Sequence, residues 1–219
     1  MAGTPRSGLA YPPAEVSLDR LLEGYRRFRA ETWPAERARY RILARQGQSP
    51  ETLVIACSDS RADPATVFNA GPGELFVVRN VAGLVPPYEP DTRYHGTSAA
   101  IEYGVRVLKV RQIVVLGHVQ CGGVRALVEG APAEAGDFVE TWMKIAEPVL
   151  RESAAHAHGA ELIERCEHGV VRLSLANLAS FPWIGEAVAA GRLALHGFQF
   201  DIHTGVLKRM DGDRFVPVV

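Results

Sequence analysis

Residues 112–123 read QIVVLGHVQCGG, and this stretch decides the fold. Its first seven residues form an unbroken aliphatic and β-branched run, the composition of a strand covered on both faces. TLVIAC at 52–57 and ELFVVRN at 74–80 have the same character. Between the last strand and QIVVLGH lies a helical pattern that includes Ala99, Ile101, Tyr103, Val105 and Leu108. Gly122-Gly123 opens another helix through Val124, Leu127 and Val128. Strand, crossover helix and strand is the pattern of a parallel sheet. The expected class is therefore α/β, a mainly parallel central β-sheet flanked by helices.

The second half of the same stretch carries chemistry. Open α/β sheets build their sites outside the carboxyl ends of strands, where loops diverge. Cys57 ends one predicted strand, and His118 and Cys121 sit at the end of another with two residues between them. That spacing lets two side chains converge on one ion as the chain turns, and Gly117, Gly122 and Gly123 supply the freedom the turn needs. A lone buried cysteine is usually just a small apolar residue. Two cysteines at strand ends, a histidine at this offset and a glycine-rich exit together favour a metal. Two thiolates and an imidazole suit Zn²⁺, and three protein ligands leave a position open for catalysis.

Ser58-Asp59-Ser60-Arg61 follows Cys57 directly. Arginine's planar fork can take both oxygens of a carboxylate two residues away. Asp59 then has two options, to bind the metal itself or to turn to Arg61 and leave a water there. An ionised Asp59 only accepts hydrogen bonds, so it would accept the hydrogen of a hydroxide and aim the oxygen lone pair at a small electrophile. Two thiolates neutralise the 2+ charge of zinc. Such a centre acidifies its water less than a three-histidine site does, and full activity should need a higher pH.

Around this centre, a helix capped by Ser17 is expected through Leu18, Leu21, Leu22, Tyr25 and Phe28, and a second from Pro34 to Gln46. Residues 1–15 read as a flexible arm and 16–219 as a single domain. The segment 137–190 is mostly helical, with Pro148 breaking it, and 193–210 reads as strand, Thr204-Gly205 turn and strand. Cys166 reads as a passive thiol, and His156, His158 and His168 as surface residues with a possible part in proton relay.

Of 219 residues, 47% are hydrophobic, enough for a core that buries roughly 70% of the unfolded surface. Lys+Arg is 24 against Asp+Glu 25, so no basic excess recommends nucleic acid. No polybasic tail or long apolar run recommends a membrane. Three cysteines, an odd number, argue for a reducing cytoplasmic compartment rather than a disulfide framework.

The stretches QSPETLVIACSDSR, GPGELFVVRNVAGLVPPY, HGTSAAIEYGV and VVLGHVQCGG resemble a β-class carbonic anhydrase, and SLANL and LALHGFQFDIHTG extend the resemblance to roughly residues 15–210. It implies a zinc enzyme interconverting CO₂ and bicarbonate, by attack of zinc-bound hydroxide on CO₂. One Zn²⁺ per subunit would lie on Cys57, His118 and Cys121, with Asp59 and Arg61 as the catalytic dyad. Gln48, Phe76, Val81, Tyr103 and Gly122 would line the CO₂ pocket, Gln48 and Tyr103 notably from a neighbouring subunit, with Leu84 adding to the wall. The building unit would be a homodimer or a multiple of it, with the N-terminal helical arm packed on the dimer partner. Family members that hold a regulatory bicarbonate do so with a Trp, an Arg and a Tyr; Arg79 stands at the second place, but Val54 and Phe200 stand at the others. The resemblance is thus to the open, plant-like form, without a transit peptide. Hydrolysis of carbonyl sulfide or carbon disulfide on the same fold, or a non-catalytic structural zinc, are the alternatives.

Overall fold

A computed structural model describes residues 18–219, so the arm expected at 1–15 and the Ser17 cap lie outside the described residues. The chain divides between Gly47 and Gln48 into two compact units.

The first unit carries helix α1 (Leu18–Arg27) and helix α2 (Trp33–Gln46), joined by a wide helical turn, Phe28–Thr32. The second helix, expected from Pro34 to Gln46, begins at Trp33, and the chain stays helical from α1 into it. Proline falls in the first turn of α2, directly after the wide turn, where a helix tolerates it best. The Trp33 amide bridges the wide turn to the Phe28 carbonyl. Trp33 and Tyr40 pack with ring centroids 5.2 Å apart. Leu18, Leu21, Leu22 and Tyr25, which mark the apolar face of α1, are exposed.

The second unit is built on a six-stranded sheet. Its strands are β1 (Thr52–Cys57), β2 (Leu75–Asn80), β3 (Gln112–His118), β4 (Ala194–Phe200), β5 (Leu207–Asp211) and β6 (Arg214–Pro217), in the order β2-β1-β3-β4-β5-β6. The pairs β1–β2, β1–β3 and β3–β4 are parallel, whereas β4–β5 and β5–β6 are antiparallel. β1 and β3 are buried on both faces, as their composition demands. β2 is not: it is an edge strand with a neighbour on one side only, and Val77 is exposed. β6 escaped the sequence reading, although Asp211-Gly212 is a hairpin-turn signal; Gly212 takes φ +56° there.

Helices fill both connections and the long third one: α3 (Pro64–Val67), α4 (Gly96–Glu102), α5 (Gly122–Glu129), α6 (Val139–Met143), α7 (Glu147–Ala154), α8 (Gly159–Ser180) and α9 (Pro182–Ala189). The helical segment from 137 is broken near Pro148, as expected, into α6 and α7, and the proline itself lies in the first turn of α7. Leu53, Ile55, Ile113 and Val115 on one sheet face pack on Val171 and Leu178 of α8 and Ile184 of α9. Val54, Ala56, Val114 and Leu116 on the other meet Phe68, Phe198 and Phe200. α8 also tethers the loop after β2: Ser174 Oγ accepts from the Val85 amide at 3.1 Å, and Asn177 donates to the Val85 carbonyl at 2.8 Å.

The strand order positions the site. From β1 the chain moves to β2 on one side, then returns to place β3 on the other side of β1. The loops leaving β1 and β3 therefore diverge, which opens a crevice at their carboxyl ends. Cys57 and His118 are the last residues of these two strands. Among the described residues, no helix is long and apolar enough to cross a membrane.

Candidate metal centre

Cys57, His118 and Cys121 converge at that crevice, with their ligand atoms all within 4.8 Å of one another. All three are buried. β3 delivers His118. The turn after it passes through Gln120, whose φ of +55° is left-handed, and swings Cys121 back towards Cys57 at the start of α5.

Three observations test whether these residues suit a metal. The sulfurs of Cys57 and Cys121 stand 3.9 Å apart, and both thiols are free. Two sulfurs each about 2.3 Å from one tetrahedral zinc stand about 3.8 Å apart, whereas a disulfide would need about 2.05 Å. His118 Nδ1 lies 2.9 Å from the Val119 carbonyl, which can only accept, so Nδ1 carries the hydrogen. Nε2 is left with its lone pair, buried and without a hydrogen-bond partner. An orphaned buried nitrogen facing two thiols is what a metal ligand looks like without its ion. The donor set therefore fits Zn²⁺.

The protonation states agree. The hydrogen bond with Cys121 pulls the Cys57 thiol well below its usual range, against burial and with help from His118. Cys121 moves the other way, because it gives that hydrogen bond and is itself buried. Their proximity thus favours one thiolate in the pair and resists a second ionisation. For His118, burial opposes the charged form, but the adjacent Cys57 thiolate outweighs it and the pKa rises.

Asp59 is turned away from the cluster onto Arg61. Arg61 Nε donates to Oδ1 at 2.9 Å, Nη2 donates to Oδ2 at 2.7 Å, and the Arg61 amide adds a bond to Oδ1 at 2.9 Å. These bonds hold the Asp59 carboxyl well below the usual carboxylate range. Asp59 Oδ2 still lies 3.9 Å from His118 Nε2, so the carboxylate edges the cluster without entering it. Arg79 fixes the backbone here: its Nε donates to the Cys57 carbonyl at 3.0 Å, Nη2 to the Asp59 carbonyl at 2.7 Å, and Nη1 to Asp63 at 2.9 Å.

The residues expected around a substrate fall in two groups. Val81 and Leu84 belong to the apolar cluster that contains Cys57 and Cys121. Gly122 follows Cys121, with open space where a Cβ would point. Phe76 and Tyr103 pack on each other, centroids 5.9 Å apart, and Phe76 joins a different cluster. Tyr103 and Gln48 are exposed. The single chain therefore does not gather all five.

Glu167 on α8 went unnoticed in the sequence. It is buried beneath the turn, and its Oε1 accepts from the Cys121 amide at 3.2 Å. Burial raises its pKa, while the Cys121 and Gln120 amides pull it back down. A glutamate inside the otherwise apolar stripe of α8 was the available signal. Cys166 beside it is buried, and burial raises its pKa too, as befits a passive thiol. His156 and His158 are exposed, but His168 is not the surface residue expected: it bonds Gln199 at 2.7 Å and stacks on Phe215.

Known proteins resemble this chain over most of its length. The carbonic anhydrase family profile matches residues 52–207. A carbonic anhydrase of Pseudomonas aeruginosa is 39% identical over 195 residues, 88% of this chain and 87% of that protein. The β-carbonic anhydrase CcaA superposes with a TM-score of 0.84 at 33% identity, covering 91% of this chain and 98% of its own. A chain from the crystal structures of two tetrameric β-carbonic anhydrases of Sordaria macrospora gives 0.76 at 32% identity, over 88% of this chain and 96% of its own. With this sheet, this cluster and these relatives, the chain belongs to the β-class carbonic anhydrases and is an enzyme of that family.

Proposed function

We propose that the protein catalyses zinc-dependent, reversible hydration of CO₂ to bicarbonate and a proton. The observation that carries this reading is the buried, unpartnered His118 Nε2 facing two free thiols, with Asp59 held beside it by Arg61. Zinc bound there would supply Lewis acidity, which makes hydroxide available from water, more fully as pH rises above neutral.

The chain's own groups then divide the work. Asp59, ionised and acceptor-only, takes the hydrogen of the attacking oxygen and so fixes its lone pair towards CO₂. Arg61 keeps Asp59 ionised and occupies both its oxygens, which keeps the carboxylate from becoming a fourth ligand. Val81, Leu84 and Gly122 wall the apolar space for CO₂. Gln48 and Tyr103, with Phe76 stacked on the latter, complete that wall from a neighbouring subunit in a homodimer or a multiple of dimers. In that assembly residues 16–219 act as one domain, and the exposed apolar face of α1 packs on the partner. Each subunit holds one zinc. A reducing cytoplasm keeps the free thiols available.

A purely structural zinc would call for a closed set of four ligands. Among the described residues no fourth His, Cys, Asp or Glu joins the cluster. The test is stopped-flow CO₂ hydration with metal analysis on the same sample, from roughly pH 6.5 to 9. One zinc per chain and a rate that climbs with pH are expected. Full zinc loading without hydration at any pH would refute the proposal.

A further inference from the structure

Glu167 reaches the ligand loop from α8, outside both strands that carry the site. It is 5% exposed, and among the described residues no lysine or arginine pairs with it. Burying a carboxylate without a cation is costly. Its helix neighbours Cys166, Val170 and Val171 are apolar, so a leucine would fill the same space without that cost. What the carboxylate has instead is the Cys121 amide at 3.2 Å, with the Gln120 amide beside it.

Those two amides belong to the strained part of the loop. Gln120 holds a left-handed backbone at φ +55°, a conformation that strains a residue with a side chain. On the other side of the same peptide unit, the Gln120 carbonyl accepts from Arg61 Nη2 at 3.2 Å. Arg61 in turn holds both oxygens of Asp59. One turn is therefore gripped from beneath by an anion on its amides and from outside by a cation on its carbonyl.

We propose that Glu167 is a positioning residue of the metal centre, holding the Gln120–Cys121 turn so that the Cys121 sulfur faces Cys57 and the Gln120 carbonyl steers Arg61. The inference rests on the zinc reading above and deepens it. It reaches the dyad without touching it: Glu167 fixes the turn, the turn guides Arg61, and Arg61 sets Asp59.

The test uses the full chain as E167L and E167Q beside the wild type. Folding is followed by far-ultraviolet circular dichroism, zinc affinity by competition with a chromogenic chelator, and ligand geometry by the visible spectrum of the cobalt(II) form. E167L is expected to fold, to lose about 10–100-fold in zinc affinity and to show shifted cobalt bands. E167Q keeps an oxygen that can accept from the Cys121 amide but loses the carboxylate charge, so it should lose only several-fold. Wild-type zinc affinity and an unchanged cobalt spectrum in E167L, whatever happens to its melting temperature, would overturn the proposal. Should E167L fail to fold, wild-type affinity in E167Q overturns it equally. A wild type that binds no zinc would instead refute the underlying metal reading.

Discussion

Arg61 and Asp59 meet side-on, with Nε 2.9 Å from Oδ1 and Nη2 2.7 Å from Oδ2. Both carboxylate oxygens are thus engaged at the edge of the cysteine–histidine cluster. Because the same Nη2 also reaches the Gln120 carbonyl, the guanidinium ties the loop after β1 to the loop after β3.

Removing the fork should free Asp59. R61A is expected to lower kcat/KM for CO₂ hydration by roughly 10²-fold, because the nucleophile loses its orienting acceptor and the carboxylate gains access to the open ligand position. R61K should recover little, since an ammonium cannot hold both oxygens in one plane. Stopped-flow rates at equal zinc content check this. R61K at wild-type activity would show that charge alone suffices.

The same pair sets an acid limit on stability. The Asp59 pKa is depressed in the folded state, so the unfolded chain takes up the proton first as pH falls. Its contribution is fully present above the ordinary aspartate value of about 3.9 and is lost as pH drops through the lower native value. In metal-free protein, the fall in melting temperature between about pH 4 and 2 should be smaller for D59N than for the wild type. Equal slopes would mean that the pair is too solvent-screened to matter.

Much of this was legible in the sequence, for identifiable reasons. Strands β1 and β3 announce themselves by continuous apolar runs, and Cys57, His118 and Cys121 stand at their ends. β2 has nearly the same composition, yet lies at the sheet edge, because composition reports apolar character and not the number of neighbours. Glu167 is 46 residues from its partner amide, so only the packing of α8 beneath the turn reveals the contact. His168 was misread for the same reason: the Gln199 and Phe215 that enclose it come from β4 and β6.

Metal binding should displace protons. Burial and the neighbouring Cys57 sulfur keep the Cys121 thiol from ionising, and the His118 pKa is raised beside Cys57. Zinc needs both thiolates and a neutral imidazole. Apparent zinc affinity should therefore weaken by about tenfold per pH unit for each proton displaced, measured by chelator competition from roughly pH 8 down to 6. A flat profile over that range would mean that both thiols are already ionised and His118 already neutral in the metal-free state.

Adjacent glycines in α5 should respond differently. A Cβ on Gly123 would fall 2.8 Å from Val81 Cγ1 and 3.0 Å from Ala82 Cβ, whereas one on Gly122 would meet nothing within 4 Å. G123A is expected to destabilise by about 1–3 kcal/mol through overpacking, and to disturb Val81. G122A should leave the melting temperature nearly unchanged and act, if at all, on kcat/KM. Thermal unfolding of both variants separates packing from substrate access. A melting temperature for G123A equal to that of G122A would show that the loop after β2 yields freely.

Bicarbonate should not act as a switch here. Each of the three guanidinium nitrogens of Arg79 already donates, to the Cys57 and Asp59 carbonyls and to Asp63. Val54 is fully buried and Phe200 packs on the same apolar cluster, so neither offers a donor to an anion beside Arg79. An anion there would have to break the bonds that hold Asp59's own backbone, with no new donor in return. Hydration rates should therefore fall smoothly with added bicarbonate, as product competition requires, with no cooperative loss near neutral pH. Asp59 should stay on Arg61 throughout, which the cobalt(II) spectrum of the loaded enzyme can follow. A sigmoidal loss of rate with bicarbonate, together with a change in the cobalt bands, would show that Asp59 moves onto the metal after all.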